Sequence, residues 1–110
     1  MIKYEVRFME PAKDFLDKLD EKSREKILFI VWKSRETNDP ELFKKLSGEI
    51  WEFRTRFKNK QFRLFAFWDK RDSKVTLVIA THGIVKKTQK KPSKEIERAE
   101  QLRRDYLGNK

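Results

Sequence analysis

Ile50-Trp51-Glu52-Phe53-Arg54-Thr55-Arg56-Phe57-Lys58-Asn59-Lys60-Gln61-Phe62-Arg63-Leu64-Phe65-Ala66-Phe67-Trp68 is the stretch whose reading decides the fold. Its first eight residues set apolar Ile50, Trp51, Phe53 and Phe57 among Glu52, Arg54, Thr55 and Arg56, and its last seven are apolar apart from Arg63. Both patterns predict strands. Lys58-Asn59-Lys60 is short and polar enough to join them as a hairpin. Residues 75–81 form a third strand, reached over the polar connection 69–74, and Gly83 is expected to close it. Three successive strands with tight turns make an antiparallel meander.

Upstream, Ile2-Lys3-Tyr4-Glu5-Val6-Arg7-Phe8 alternates with period two, as a half-buried strand does. Pro11 suits a first helical turn, and Phe15, Leu16 and Leu19 at helical spacing predict a helix over 11–20. A second helix is expected to open at Ser23 as N-cap and run to Thr37, its apolar centre Ile27-Leu28-Phe29-Ile30-Val31-Trp32 buried. Asn38-Asp39-Pro40 ends it, and a short helical turn is expected over 41–45. Downstream, Pro92 or Ser93 opens a last helix with the apolar stripe Ile96, Ala99, Leu102 and Tyr106. The predicted order is β-α-α-β-β-β-α. That is an α+β domain: a small, mostly antiparallel four-stranded sheet, two N-terminal helices on one face, and a C-terminal helix. The 110 residues suffice for a single domain over 1–110.

Composition narrows the chemistry. The absence of Cys removes disulfides, thiolate catalysis and cysteine-based zinc sites, and His82 as the one histidine removes zinc sites built on several imidazoles. No resident metal or other cofactor is expected. No apolar run approaches the ~20 residues of a membrane span. The first residues lack the form of a secretion signal, so a reduced, cytoplasmic setting is expected.

The net charge of +10 points to polyanionic partners. A 13% aromatic content, with 9 Phe and 3 Trp, speaks for a folded core despite that charge. Basicity is concentrated in the second half. Residues 54–63 hold Arg54, Arg56, Lys58, Lys60 and Arg63, and residues 86–94 hold Lys86, Lys87, Lys90, Lys91 and Lys94, with no carboxylate in either run.

Strand alternation sets Arg54 and Arg56 on one face, together with Glu52, and apolar Phe53, Thr55 and Phe57 on the other. A row of guanidinium groups matches phosphate geometry. Arg63, flanked by large apolar residues, calls for a partner of its own. Glu52 is expected to hold an arginine in place. Phe53, Phe62, Phe65, Phe67, Trp68, Trp51 and Trp32 are expected chiefly in the core, although aromatic rings also stack on splayed bases.

Leu46-Ser47-Gly48-Glu49-Ile50-Trp51-Glu52-Phe53-Arg54, followed by Phe62-Arg63-Leu64-Phe65, resembles the core of RelE-superfamily toxins. His82-Gly83-Ile84-Val85-Lys86-Lys87-Thr88-Gln89-Lys90-Lys91-Pro92 and the following Glu95-Ile96-Glu97-Arg98-Ala99 resemble the phage-derived HigB-like branch. At Ile84 and Lys91 that branch more often has an aromatic and a threonine. The resemblance implies a toxin of a type II toxin–antitoxin system that cleaves mRNA on the ribosome without a metal. The ribose 2′-hydroxyl would attack the adjacent phosphate and the 5′-oxygen would leave.

By position, the resemblance sets Arg63 on the scissile phosphate and makes Arg54 and Arg56 the pair that grips RNA and shares in proton transfer. Lys87 and His82 join them as catalytic candidates, since an imidazole or a lysine amid like charges titrates nearer neutrality. Lys58, Lys60, Lys86, Lys90, Lys91 and Lys94 are the expected RNA contacts. The implied partners are mRNA and 16S rRNA on the ribosome and a HigA-like helix-turn-helix antitoxin; no membrane is expected. Two alternatives stay open: a ParE-like poison of DNA gyrase, and a basic RNA- or ribosome-binding module without chemistry. Trimming Arg63 is expected to remove activity and, as a strand-surface change, to leave the fold intact.

Overall fold

The computed structural model describes residues 4–37, 39–86 and 91–108. Its elements are β1 (Glu5–Phe8), α1 (Glu10–Asp17), α2 (Glu21–Ser34), β2 (Phe43–Ser47), β3 (Ile50–Phe57), β4 (Lys60–Asp69), β5 (Leu77–Lys86) and α3 (Ser93–Gly108). The fold is α+β as expected, with one strand more than expected. The sheet has five strands in the order β1-β5-β4-β3-β2, antiparallel except that β1 runs parallel to β5.

The added strand is β2, where a helical turn was expected over 41–45. Phe43 pairs with Phe53, Lys44 with Glu52 and Lys45 with Trp51, and the register then shifts at a bulge before Ser47. Pairing with a neighbour so close along the chain overrides the weak local preference of a short lysine-bearing segment. The last strand also runs past Gly83 to Lys86, instead of stopping there. On β5, Gly83 lies under α1, and a β-carbon built there would overlap the Phe15 ring. The glycine is therefore a point of close approach between strand and helix.

The β3–β4 turn is the predicted hairpin. Lys58 and Asn59 both adopt positive φ, at 53° and 63°, between the paired Phe57 and Lys60. Two consecutive left-handed residues give the turn whose twist matches the flanking strands. α2 opens earlier than expected, on Asp20, whose carboxylate accepts a hydrogen bond from the Ser23 amide.

The faces of the sheet are covered differently. On one, Ala12 and Leu16 of α1 and Ile27 and Val31 of α2 pack on Phe53, Phe62, Leu64, Ala66, Val78 and Ala80. Each large side chain removed from water there contributes roughly 1.5–3 kcal/mol. On the other face α3 lays Ile96, Ala99, Tyr106 and Leu107 over Ile50, Phe65, Phe67 and Ile79. α3 covers only part of that face, which leaves the Arg54–Arg56 portion of β3 outside its footprint. Trp32, expected in the core, is 61% exposed, together with Leu28 and Phe29, because α2 turns Ile27, Ile30, Val31 and Ser34 inward instead.

Asp69 ends β4 and helps to anchor α3. It accepts hydrogen bonds from Arg71 through Nε and Nη2, both 2.9 Å, and these bonds, joined by one with Tyr106, hold its carboxyl down at about 2 against an ordinary 3.8. The stability this gives is complete above the ordinary value and is lost as the pH falls from there through the folded value. It amounts to roughly 2 kcal/mol, less what solvent around Arg71 screens. Asp69→Asn is expected to flatten the pH dependence of unfolding free energy between about pH 4 and about pH 2. A variant that loses stability over that range as steeply as the parent would contradict this.

Candidate functional site

Beyond the footprint of α3, three strands present their polar side chains together. In register, Arg54 of β3 lies opposite Arg63 of β4, Arg56 opposite Gln61, and Gln61 in turn opposite Lys86 of β5. Alternation sets all five on one face, along with Glu52. Residues from segments far apart in sequence thus meet in one patch. Arg54 is partly exposed and Arg56 exposed, whereas Arg63 and Lys86 are buried at 6% and 9% exposure.

Glu52 organises the buried part. With no exposed surface, its carboxylate lies 3.3 Å from Arg63 Nε, without hydrogen-bond alignment, and accepts from Arg63 Nη1 at 3.4 Å. Arg63 Nη2 donates to Gln61 Oε1 at 3.4 Å. These are long, loose bonds for a charged pair. Burial pushes the Glu52 carboxyl up, against the pull of Arg63, Arg54, Lys44 and Lys86. The arginine is therefore an interior ion-pair member, not the strand-surface residue expected, and trimming it must disturb the fold.

Lys86 Nζ is buried with no hydrogen-bond partner among the described residues. Burial first, and then the Arg63 charge, lowers its pKa from the ordinary lysine value, while Glu52 opposes the change. This lysine is a cation of the face whose proton is loosened.

His82 is 1% exposed, its ring stacked on Phe65 at 4.9 Å between centroids. Its Nε2 lies 2.9 Å from Glu95 Oε1 of α3 and its Nδ1 lies 3.1 Å from Thr81 Oγ1. Burial lowers its pKa, the Glu95 bond opposing, so the neutral ring is favoured. Both nitrogens are engaged, Nε2 in fastening α3 to the sheet and Nδ1 with the neighbouring Thr81 of the same strand. The proton-transfer role expected of it has no open nitrogen to work with.

The remaining sequence candidates are spread out. Lys58 sits at the hairpin turn, 3.6 Å from Asp20, and Lys60 is exposed just beyond. Lys91 is exposed ahead of α3. Lys94 lines a concavity with Ser47 and Gly48 at the β2–β3 turn, the far end of β3 from Arg56, so it is not part of the patch. Lys87 and Lys90 lie outside the described residues. Gln61 was not singled out from the sequence; its position two residues before Arg63 on one strand was the available signal. Phe53, Phe62, Phe65 and Phe67 are all interior, which leaves them closed to bases. Among the described residues no cluster of His, Asp or Glu is arranged to hold a metal ion, and no helix is long and apolar enough to cross a membrane.

Residues 14–104 match the family described as phage derived protein Gp49-like (DUF891). The chain is also similar to one in the crystal structure of the toxin-antitoxin complex RelBE2 from Mycobacterium tuberculosis. That likeness has 18% identity and a TM-score of 0.59, covering 77% of this chain and 100% of the other. At this identity the likeness speaks for the fold. No curated protein matches.

Proposed function

Because the chain belongs to the family of phage derived Gp49-like proteins, we propose that it is the toxin of a toxin–antitoxin pair and a metal-independent endoribonuclease acting on mRNA at the ribosome. The observation that carries the reading is the shared face of Arg54, Arg56, Arg63 and Lys86. Four cations from three strands, two of them buried, make a site for one phosphodiester flanked by more of the same polyanion. The fold it shares with a chain of a toxin-antitoxin complex supports the assignment of an antitoxin partner. A ribosome-bound substrate accords with the charge of +10.

In this mechanism the RNA backbone lies along β3, gripped by Arg54 and Arg56, with the scissile phosphate against Arg63. The 2′-oxygen gives up its proton to solvent and bonds to phosphorus, closing a cyclic phosphate, and the bond from phosphorus to the 5′-oxygen breaks as that oxygen takes a proton from the Lys86 ammonium. Negative charge grows on the non-bridging oxygens, where a fixed guanidinium stabilises it most. Glu52 and Gln61 keep Arg63 in position. Lys86 is the group on this face suited to proton transfer, since burial, and then the Arg63 charge, eases loss of its proton. His82 contributes by holding α3.

Induction of the chain in cells, with mapping of transcript ends, tests this. Cuts inside translated codons are the expected result. DNA damage without such cuts would instead mark a gyrase poison, and neither would mark a binder without chemistry. Cleavage of ribosome-free RNA, driven by a high concentration of the protein, is further expected to persist in excess chelator, since every cation in the mechanism is a side chain; such cleavage lost on chelation and restored by a divalent ion would overturn it.

A further inference from the structure

Away from the basic face, on the side of the sheet that α2 covers, a concavity of about 410 Å³ opens against β2. Tyr4, Phe43, Trp51 and Trp68 wall it, with Phe43 5.0 Å from Trp51 and 5.8 Å from Trp68 between ring centroids. Trp51 and Trp68 remain partly exposed. Lys44 and Lys45 stand at the rim beside Asp39, and Lys70 lies over the Trp68 ring at 5.4 Å.

The strand bordering this pocket is an edge. β2 is bonded to β3 on one side, and among the described residues no strand lies on its other side. An open edge is a template for another strand. Here Lys44 and Lys45, and the bulge after them, oppose pairing between two copies of the chain, since like charges would meet. The same lysines attract the opposite sign.

We propose that the β2 edge and the aromatic pocket together bind an extended acidic segment of a partner protein, which adds as a strand beside β2 and seats one bulky apolar side chain among the rings. Register supports the division of labour. Lys45 lies opposite Trp51 on the pocket side and Lys44 opposite Glu52 on the other. In an added strand, side chains alternate between the faces. Carboxylates next to the apolar anchor reach Lys44, and those two residues away reach Lys45. Single-stranded RNA also stacks on aromatic rings. A base, however, has no use for an unpaired backbone edge, and the guanidinium patch lies on the opposite face.

The test is selection of short random peptides displayed against the full chain, followed by binding and amide hydrogen exchange with the selected peptide. Sequences with one large apolar residue flanked by Asp or Glu are expected to emerge. Exchange over residues 43–47 should slow by about tenfold or more on saturation, and Lys45→Glu, with Lys44→Gln so that no carboxylate faces Glu52, should weaken binding by about tenfold or more with little change in thermal unfolding. Selection of no peptide, of peptides without acidic residues, or of peptides that leave exchange at 43–47 unaltered would overturn the proposal. So would equal binding to the charge-reversed variant. A single-stranded RNA decamer that competes for Trp51 and Trp68 fluorescence without protecting β2 would assign the pocket to bases instead.

Discussion

Arg63→Ala is expected to abolish RNA cleavage and, at the same time, to destabilise the protein severely. The two losses have different causes. Removing the guanidinium takes away the charge that stabilises the phosphorane, a loss on the order of a hundredfold or more in rate. It also strands Glu52, which has no exposed surface and has Arg63 as its ion-pair partner. Breaking a buried pair from one side costs about 3–5 kcal/mol, a large share of the stability of a domain this size. Adding Glu52→Gln removes the stranded charge. The double variant should recover most of the stability in denaturant unfolding while remaining inactive. A single variant as stable as the parent would show that the pair does not matter to the fold, and one that still cleaves would remove Arg63 from the chemistry.

Gly83→Ala is the second large effect, and it is purely structural. The new methyl would overlap the Phe15 ring at Cγ as well as at its edge, so the ring cannot simply swing its tip aside. Either α1 lifts from β5 or Phe15 leaves its rotamer. Overpacking of this kind costs about 1–3 kcal/mol and sometimes more. Phe15→Leu in the same chain makes room, and the pair should be more stable than Gly83→Ala alone. If the single substitution leaves the unfolding midpoint where it was, strand and helix are not in the close contact described.

The meander was legible because each of its signals is local: period-two alternation on β3, a near-continuous apolar run on β4, and a Lys58-Asn59 turn between. β2 was not. Phe43-Lys44-Lys45-Leu46-Ser47 has no alternation strong enough to mark a strand, and it becomes one by pairing with β3. Gly83 was misread for a related reason. A glycine ends a strand or admits a neighbour, and only the position of Phe15 distinguishes the two. In α2 the apolar run 27–32 looked buried all round, yet one side faces solvent.

The candidate site was legible in part. Alternation was enough to set Arg54, Arg56 and Glu52 on one face, and register then adds Arg63 and Lys86. What the sequence did not carry was depth. Whether a strand arginine is exposed or sealed depends on the side chains around it, which for Arg63 include Glu52 and Gln61 of the sheet itself. For the same reason His82 looked like a proton carrier from its chemistry and proves to be a fastener.

The parallel pairing of Glu5 with Leu77 and of Phe8 with Ala80 joins the start of the chain to its last strand. During synthesis, β1 and α1 therefore emerge long before their support exists, since α1 rests on β5 and Tyr4 belongs to the same cluster as Val78 and Ala80. Closing so long a loop is slow. A nascent polypeptide halted before residue 77 would display an unpaired β4 margin, and its basic strand face would lack the Lys86 wall. Assembly of the working surface thus waits on the emergence of β5, with little of it in place ahead of time.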